Sequence, residues 1–199
     1  MFTIAIQAGG QSSRMGEDKA LRTFLGRPLI ERVIARLRPV ASELIVTTNR
    51  PEAYAFLGLP LFRDLKPDRG ALGGLYTALA CATSPLVGVA ACDMPFASAD
   101  LFQAAGQILL DEGADVAVAR MEVGYEPLHA VYRRATCLPA IEAAIDAGLW
   151  KVVAWFPKVR VRILEPDELH RWDPSGRAFS NVNTPEEFAD AERLALADD

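Results

Sequence analysis

Apolar and polar positions along this chain follow two periods. Phe2 to Ile6 is a short apolar run, too short for a helix and β-branched enough to predict a buried strand. Leu29, Ile30, Val33, Ile34 and Leu37 then recur at helical spacing, and Pro39 ends the pattern. Glu43 to Thr48 predicts a second strand closing on Asn49-Arg50-Pro51, with a third short strand near Pro60 to Arg63. The polar, glycine-rich stretch from Asp64 to Gly74 leads into a helix expected from about Gly74 to Ala82. Leu86 to Cys92 is unbroken apolar sequence, the pattern of a central parallel strand buried on both faces, and it ends at Asp93-Met94-Pro95. Leu101, Phe102, Ala105, Ile108 and Leu109 predict another helix, stopped by Gly113.

In the second half, Asp115 to Ala119 and His129 to Arg133 are expected strands, and Thr136 to Ala147 a helix closed by Gly148. Val159 to Leu164 alternates as Val-Arg-Val-Arg-Ile-Leu, a strand with one wet face near a sheet edge. Thr184 is the expected N-cap of the last helix, with Pro185 at its first position and Glu187 completing a capping box. Strand and helix patterns alternate for most of the chain, which argues for an α/β architecture: a mostly parallel sheet with helices on both faces, in three layers. In such sheets ligands lie at the carboxyl ends of the strands.

Composition narrows the function classes. At 199 residues the chain suits one domain, 1–199. A net charge of −5 argues against a nucleic-acid surface. No apolar run approaches the roughly 20 residues that span a bilayer, and the start has no basic segment leading into a long apolar one, so neither membrane nor signal peptide is expected. Cys81, Cys92 and Cys137 are far apart, without metal-ligand spacing. They read as reduced core thiols of a cytoplasmic protein.

The chemistry concentrates after the first strand. Gly9 and Gly10 let backbone N–H groups approach a ligand, and Arg14, Gly16 and Lys19 follow closely. Such a loop suits a polyphosphate, and in an acidic chain Arg14 and Lys19 supply the local positive charge. It is neither G-x-x-x-x-G-K-[ST] nor G-x-G-x-x-G, so P-loop enzymes and dinucleotide dehydrogenases are not favoured. Asn49 and Asp93 fall at the same predicted sheet edge. Asp93, just past a buried strand and ahead of Pro95, is placed to hold Mg²⁺ through oxygen. Phosphoryl chemistry needs positioning and charge more than covalent help, so Lys19, Arg14 and Asp93 are the expected catalytic residues.

The string Ala8-Gly9-Gly10-x-Ser12-x-Arg14-Met15-Gly16-x-Asp18-Lys19 resembles the signature loop of nucleotidyltransferases, and its Asp-Lys ending is most similar to molybdenum cofactor guanylyltransferases. The resemblance extends through Asp93 to Asn181-Val-Asn183-Thr-Pro-Glu. It implies a Rossmann-like nucleotidyltransferase fold, nucleotide bound by the N-terminal half and molybdopterin by the C-terminal half. It also implies the reaction: the phosphate of molybdopterin, with or without molybdenum, attacks the α-phosphate of Mg-GTP, yielding the guanine dinucleotide cofactor and pyrophosphate. Gln7, Ala8, Gly9, Gly10, Lys19, Asn49, Asp64 and Asp93 are the implied GTP-binding residues, and Asn181 and Asn183 the implied molybdopterin contacts. The family usually carries leucine where this chain has Gln7, and proline where it has Ala71. A monomer is expected, with a molybdoenzyme or cofactor chaperone as the further partner. The rival readings are a molybdopterin cytidylyltransferase, a sugar-phosphate nucleotidyltransferase, and a non-catalytic nucleotide sensor or cofactor-delivery protein. His129, in an apolar strand, is expected to be structural, and Trp150, Trp155 and Phe156 to pack. The roles of Thr47 and Asp18 stay open.

Overall fold

The computed structural model describes residues 2–8 and 18–198. The first strand, β1 (Phe2–Gln7), is buried along its whole length, as its unbroken apolar pattern requires. A 3-10 turn at Lys19–Leu21 leads to the small hairpin β2 (Thr23–Phe24) and β3 (Arg27–Pro28), then α1 (Leu29–Leu37), β4 (Ala41–Thr47), the short α2 (Pro51–Tyr54) and β5 (Leu61–Phe62). Next come α3 (Gly70–Cys81), β6 (Leu86–Ala91), α4 (Ala99–Glu112), β7 (Val116–Met121) and β8 (Gly124–Arg133). The chain ends with α5 (Arg134–Asp146), β9 (Val161–Leu164), the short α6 (Pro166–Leu169) and α7 (Pro185–Asp198).

Among the described residues, seven strands form one sheet in the order β5-β4-β1-β6-β8-β7-β9. β1 pairs in parallel with both β4 and β6, and β5 with β4. β8 runs antiparallel to β6 and β7, while β9 returns parallel to β7 at the edge. The mostly parallel α/β expectation therefore holds, with β8 as the one reversed strand in this sheet. Ile4, Ile6, Val46 and Ala90 pack under α1 and α4 on one face. Ala5, Ile45, Val87 and Val89 pack under α3 and α5 on the other. A third cluster, including Phe24, Leu29, Phe96, Val182 and Phe188, seats α7 on the β2–β3 hairpin and α1.

Local signals were mostly sound. Ser98 caps α4 by accepting from Leu101 N–H at 3.2 Å, and Gly113 closes that helix with a left-handed φ of 64°. The capping box at Thr184 is present: Thr184 N–H donates to Glu187 Oε2 at 3.1 Å and Glu187 N–H to Thr184 Oγ1 at 3.2 Å. Several boundaries shift by a residue or two, and two differ by more. α3 begins at Gly70, so the glycines lie inside its first turns rather than in a preceding loop. A Cβ on Gly74 would come within 2.1 Å of Gln7 Nε2, and one on Gly73 within 2.6 Å of the Lys66 carbonyl oxygen. Close approach, by Gly74 to β1 and by Gly73 to the Lys66 carbonyl, is what these two glycines serve. β8 begins at Gly124 rather than His129, because residues 124–128 extend beyond β6 and pair with β7 alone. Half-wet on that stretch, they carry no clean apolar period.

His129 is buried on β8, stacked on Phe102 with ring centroids 4.4 Å apart and edge-on to Phe179 at 5.0 Å. Its Nε2 accepts from Ser98 N–H at 3.1 Å, which ties β8 to the start of α4. Burial lowers its pKa from 6.5 to about 4. The native ring is therefore neutral where the unfolded ring protonates. Stability from this site is complete above the unfolded value and falls as pH drops through the window between the two values, by up to about 1.4 kcal/mol per pH unit. Urea unfolding of wild type and His129→Gln should converge as pH falls from 7 towards 4.5; parallel pH slopes would contradict the buried neutral imidazole.

Candidate functional site

β1 brings the chain to the carboxyl edge of the sheet between two parallel neighbours. Ala8 N–H donates to the Thr47 carbonyl at 2.8 Å, and Cys92 N–H donates to the Gln7 carbonyl at 3.2 Å. The ends of β1, β4 and β6 are thus knit together up to Ala8. The expected phosphate-holding residues Gly9, Gly10 and Arg14 lie outside the described residues.

The chain is fixed again at Asp18. One carboxylate oxygen accepts from Ala20 N–H at 3.2 Å, opening the 3-10 turn; the other accepts from Tyr54 O–H at 2.6 Å and from the Arg50 guanidinium. Tyr54 is fully buried. Burial, and then its bond to Asp18, raise the phenol well above its ordinary pKa, so it stays a neutral donor. Asp18, whose role was open in the sequence, is thus spent on anchoring the far end of the loop to α2. Neither Arg50 nor Tyr54 was legible as its partner, since they lie 32 and 36 residues downstream.

That anchor aims the next residue. Lys19 Nζ donates to Asn183 Oδ1 at 2.9 Å. Asp93, just beyond β6, is half-buried; burial raises its carboxyl pKa, while the Lys19 ammonium and its own backbone N–H act against that shift. The Asp93 carbonyl accepts from Val182 N–H at 3.0 Å. Lys19, Asp93 and Asn183, separated by most of the chain, therefore meet at one place. Asn181 is exposed in the same segment.

A second group lies at the ends of β1, β4 and β5. Gln7 is 5% exposed; its Nε2 donates to the Ala71 carbonyl at 3.1 Å, and its Oε1 has no hydrogen-bond partner among the described residues. Its register partner on β4, Thr47, likewise has a buried, unpartnered Oγ1. Asn49 and Asp64 are paired reciprocally: Asn49 Nδ2 donates to Asp64 Oδ2 at 2.9 Å and Asp64 N–H to Asn49 Oδ1 at 3.3 Å. Arg63 fixes the backbone beside them, donating to the Asn49 carbonyl at 3.1 Å. Arg63 was not expected in the site, although its place just after a strand end is the signal that could have marked it.

The arrangement suits an anionic ligand spanning the edge, with a cation and a carboxylate at one end and amide and carboxylate groups at the other. Among the described residues no three His, Cys, Asp or Glu side chains cluster as a metal cage. Mg²⁺ needs none, since it keeps several waters and takes one or two carboxylates plus substrate phosphates. A partly desolvated carboxylate such as Asp93 fits that donor set.

Residues 4–161 match the family described as the MobA-like NTP transferase domain. A probable molybdenum cofactor guanylyltransferase from Carboxydothermus hydrogenoformans is 38% identical over 193 residues, covering 97% of this chain and 94% of that protein. The molybdenum cofactor guanylyltransferase of Desulfosudis oleivorans is 36% identical over 196 residues, covering 96% and 95%. Among solved structures, molybdopterin-guanine dinucleotide biosynthesis protein A from Archaeoglobus fulgidus superposes with a TM-score of 0.84 at 24% identity, covering 98% of this chain and 99% of that one, a likeness of fold.

Tyr54→Phe should test the anchor at Asp18 with minimal change of shape. A hydrogen bond to a charged group contributes about 1.5–3 kcal/mol, so denaturant unfolding should show a loss of that order. An unchanged unfolding midpoint would show that the phenol does not hold the loop.

Proposed function

The chain belongs to the MobA-like NTP transferase family, and on that premise we propose that it transfers GMP from GTP to the phosphate of molybdopterin. The products are the molybdopterin guanine dinucleotide cofactor and pyrophosphate. The observation that carries this reading is the meeting of Lys19, Asp93 and Asn183 at the carboxyl edge of β1 and β6. Relatives of matching length named as guanylyltransferases support the base.

In the proposed reaction an oxygen of the acceptor phosphate attacks the α-phosphorus of GTP. The new P–O–P linkage forms as the bond from the α-phosphorus to the bridging oxygen breaks, and pyrophosphate leaves with that electron pair. The nucleophile is already an anion, so no general base is required. Lys19 and Arg14 offset the charge that builds on the phosphates. Backbone N–H groups of Gly9 and Gly10 cradle the phosphates. Gln7, Ala8, Asn49 and Asp64 hold the nucleoside end, where the Asn49–Asp64 pair and the unpartnered Gln7 Oε1 offer hydrogen-bonding groups. Asn181 and Asn183 contact molybdopterin.

In this proposal Asp93 holds Mg²⁺. When bound, the cation polarises the phosphate oxygens and offsets the leaving charge. The whole chain acts as one domain, nucleotide side first and acceptor side second. The proposal further has it work as a cytoplasmic monomer that passes its product to a molybdoenzyme or cofactor chaperone. Its three cysteines are free, which suits a reducing compartment.

The test is pyrophosphate release with molybdopterin and Mg²⁺, comparing GTP with CTP in wild type and Asp93→Ala. GTP turnover that falls by about 10²-fold or more in the variant is expected, the scale of losing one main electrostatic contact. Preference for CTP would overturn the base assignment, and full activity in Asp93→Ala would overturn its metal role.

A further inference from the structure

Asn183 is exposed, yet its backbone is held on every side. The preceding Val182 buries its side chain in the cluster with Phe24, Phe96 and Phe188, and its N–H donates to the Asp93 carbonyl at 3.0 Å. Asn183 N–H donates to Glu187 Oε2 at 2.6 Å, and Thr184 N–H shares that oxygen at 3.1 Å. An exposed side chain on so constrained a backbone presents its amide in a narrow range of directions. Its Oδ1 accepts from Lys19 Nζ at 2.9 Å. Among the described residues, its Nδ2 group has no hydrogen-bond partner.

The chemistry of the two groups is asymmetric. An ammonium carries three donors, so one bond to Asn183 leaves two for phosphate oxygens. A side-chain amide offers an acceptor at one end and two donors at the other, with no net charge. Carbonyl oxygen facing the ammonium therefore leaves the NH₂ end for an anion. An aspartate here would bind Lys19 more strongly, but it would neutralise the cation and repel both phosphates.

Building on the function proposed above, we propose that Asn183 is a positioning residue for Lys19. Its Oδ1 holds the ammonium at the nucleotide phosphates while its Nδ2 faces the acceptor phosphate, so one neutral amide sets cation and nucleophile relative to each other. Lys19 has a flexible four-carbon stem with substantial rotamer entropy. Asn183 removes part of that cost before GTP arrives. A residue that only touched molybdopterin would have no effect on GTP in its absence.

The experiment is calorimetric GTP binding with Mg²⁺ and no molybdopterin, for wild type, Asn183→Ala, Lys19→Met and the double variant. Asn183→Ala should weaken GTP binding by about three- to tenfold, the scale of one net hydrogen bond, and adding it to Lys19→Met should weaken binding no further. Unchanged affinity in Asn183→Ala, or an undiminished loss in the Lys19→Met background, would overturn the proposal. Asn183→Asp, which keeps shape and capping, should lower kcat below that of Asn183→Ala with an unchanged melting temperature. Turnover at the wild-type rate in that variant would equally overturn it. Failure of the wild type itself to bind GTP would instead defeat the proposed function, an outcome distinct from silent variants of a GTP-binding protein.

Discussion

The functional edge depends on one constraint: β1 is clamped between two parallel strands to its last residue. Ala8 N–H bonds β4 and the Gln7 carbonyl bonds Cys92 beyond β6, so the backbone groups at the end of β1 are satisfied from both sides. This edge is also where the strand order diverges, with β4 on one side of β1 and β6 on the other. That is the place where open α/β sheets gather ligands. The same parallel arrangement carries Thr47 at the end of β4, Asn49 just after it, and Asp93 after β6 to the same edge. Fold and site are therefore one consequence of where β1 sits.

The rest of the architecture converts that edge into an oriented set of charges. Asp18 is held by Tyr54 and Arg50, which fixes the chain just before Lys19. The third apolar cluster seats α7 on the β2–β3 hairpin that follows Lys19, and with it the segment bearing Asn181 and Asn183. Val182 then bonds Asp93 and Asn183 bonds Lys19. Three stretches far apart in sequence are thereby coupled through short hydrogen bonds backed by buried side chains. In a chain of net charge −5, these bonds hold the Lys19 ammonium at the sheet edge near Asp93.

Much of this was legible in the sequence, for identifiable reasons. Buried strands such as β1 and β6 are continuous apolar runs, and Gly113 and the Thr184 capping box are local signals that need no tertiary information. Lys19 and Asp93 stood out because phosphate chemistry asks for such residue types at strand ends, and the structure brings the two together. The misses share the opposite character. The start of α3 at Gly70 was hidden because its glycines read as loop, whereas Gly74 serves a close approach to Gln7, a contact between distant segments. β8 reads weakly because its first half is paired on one side and partly wet. Asp18 could not be given a role because its partners lie beyond β4, and the bond between Lys19 and Asn183 spans 164 residues.

The central claim is that the nucleotide lies across the carboxyl ends of β1, β4 and β6, with its phosphates between Lys19 and Asp93. A crystal structure of the protein with GTP and Mg²⁺ tests it most directly. The account predicts the triphosphate within hydrogen-bond reach of Lys19 Nζ, a cation on the Asp93 carboxylate, and guanine on the side of Gln7, Asn49 and Asp64. A nucleotide bound elsewhere, or reversed so that guanine faces Asp93 and Asn183, would contradict it.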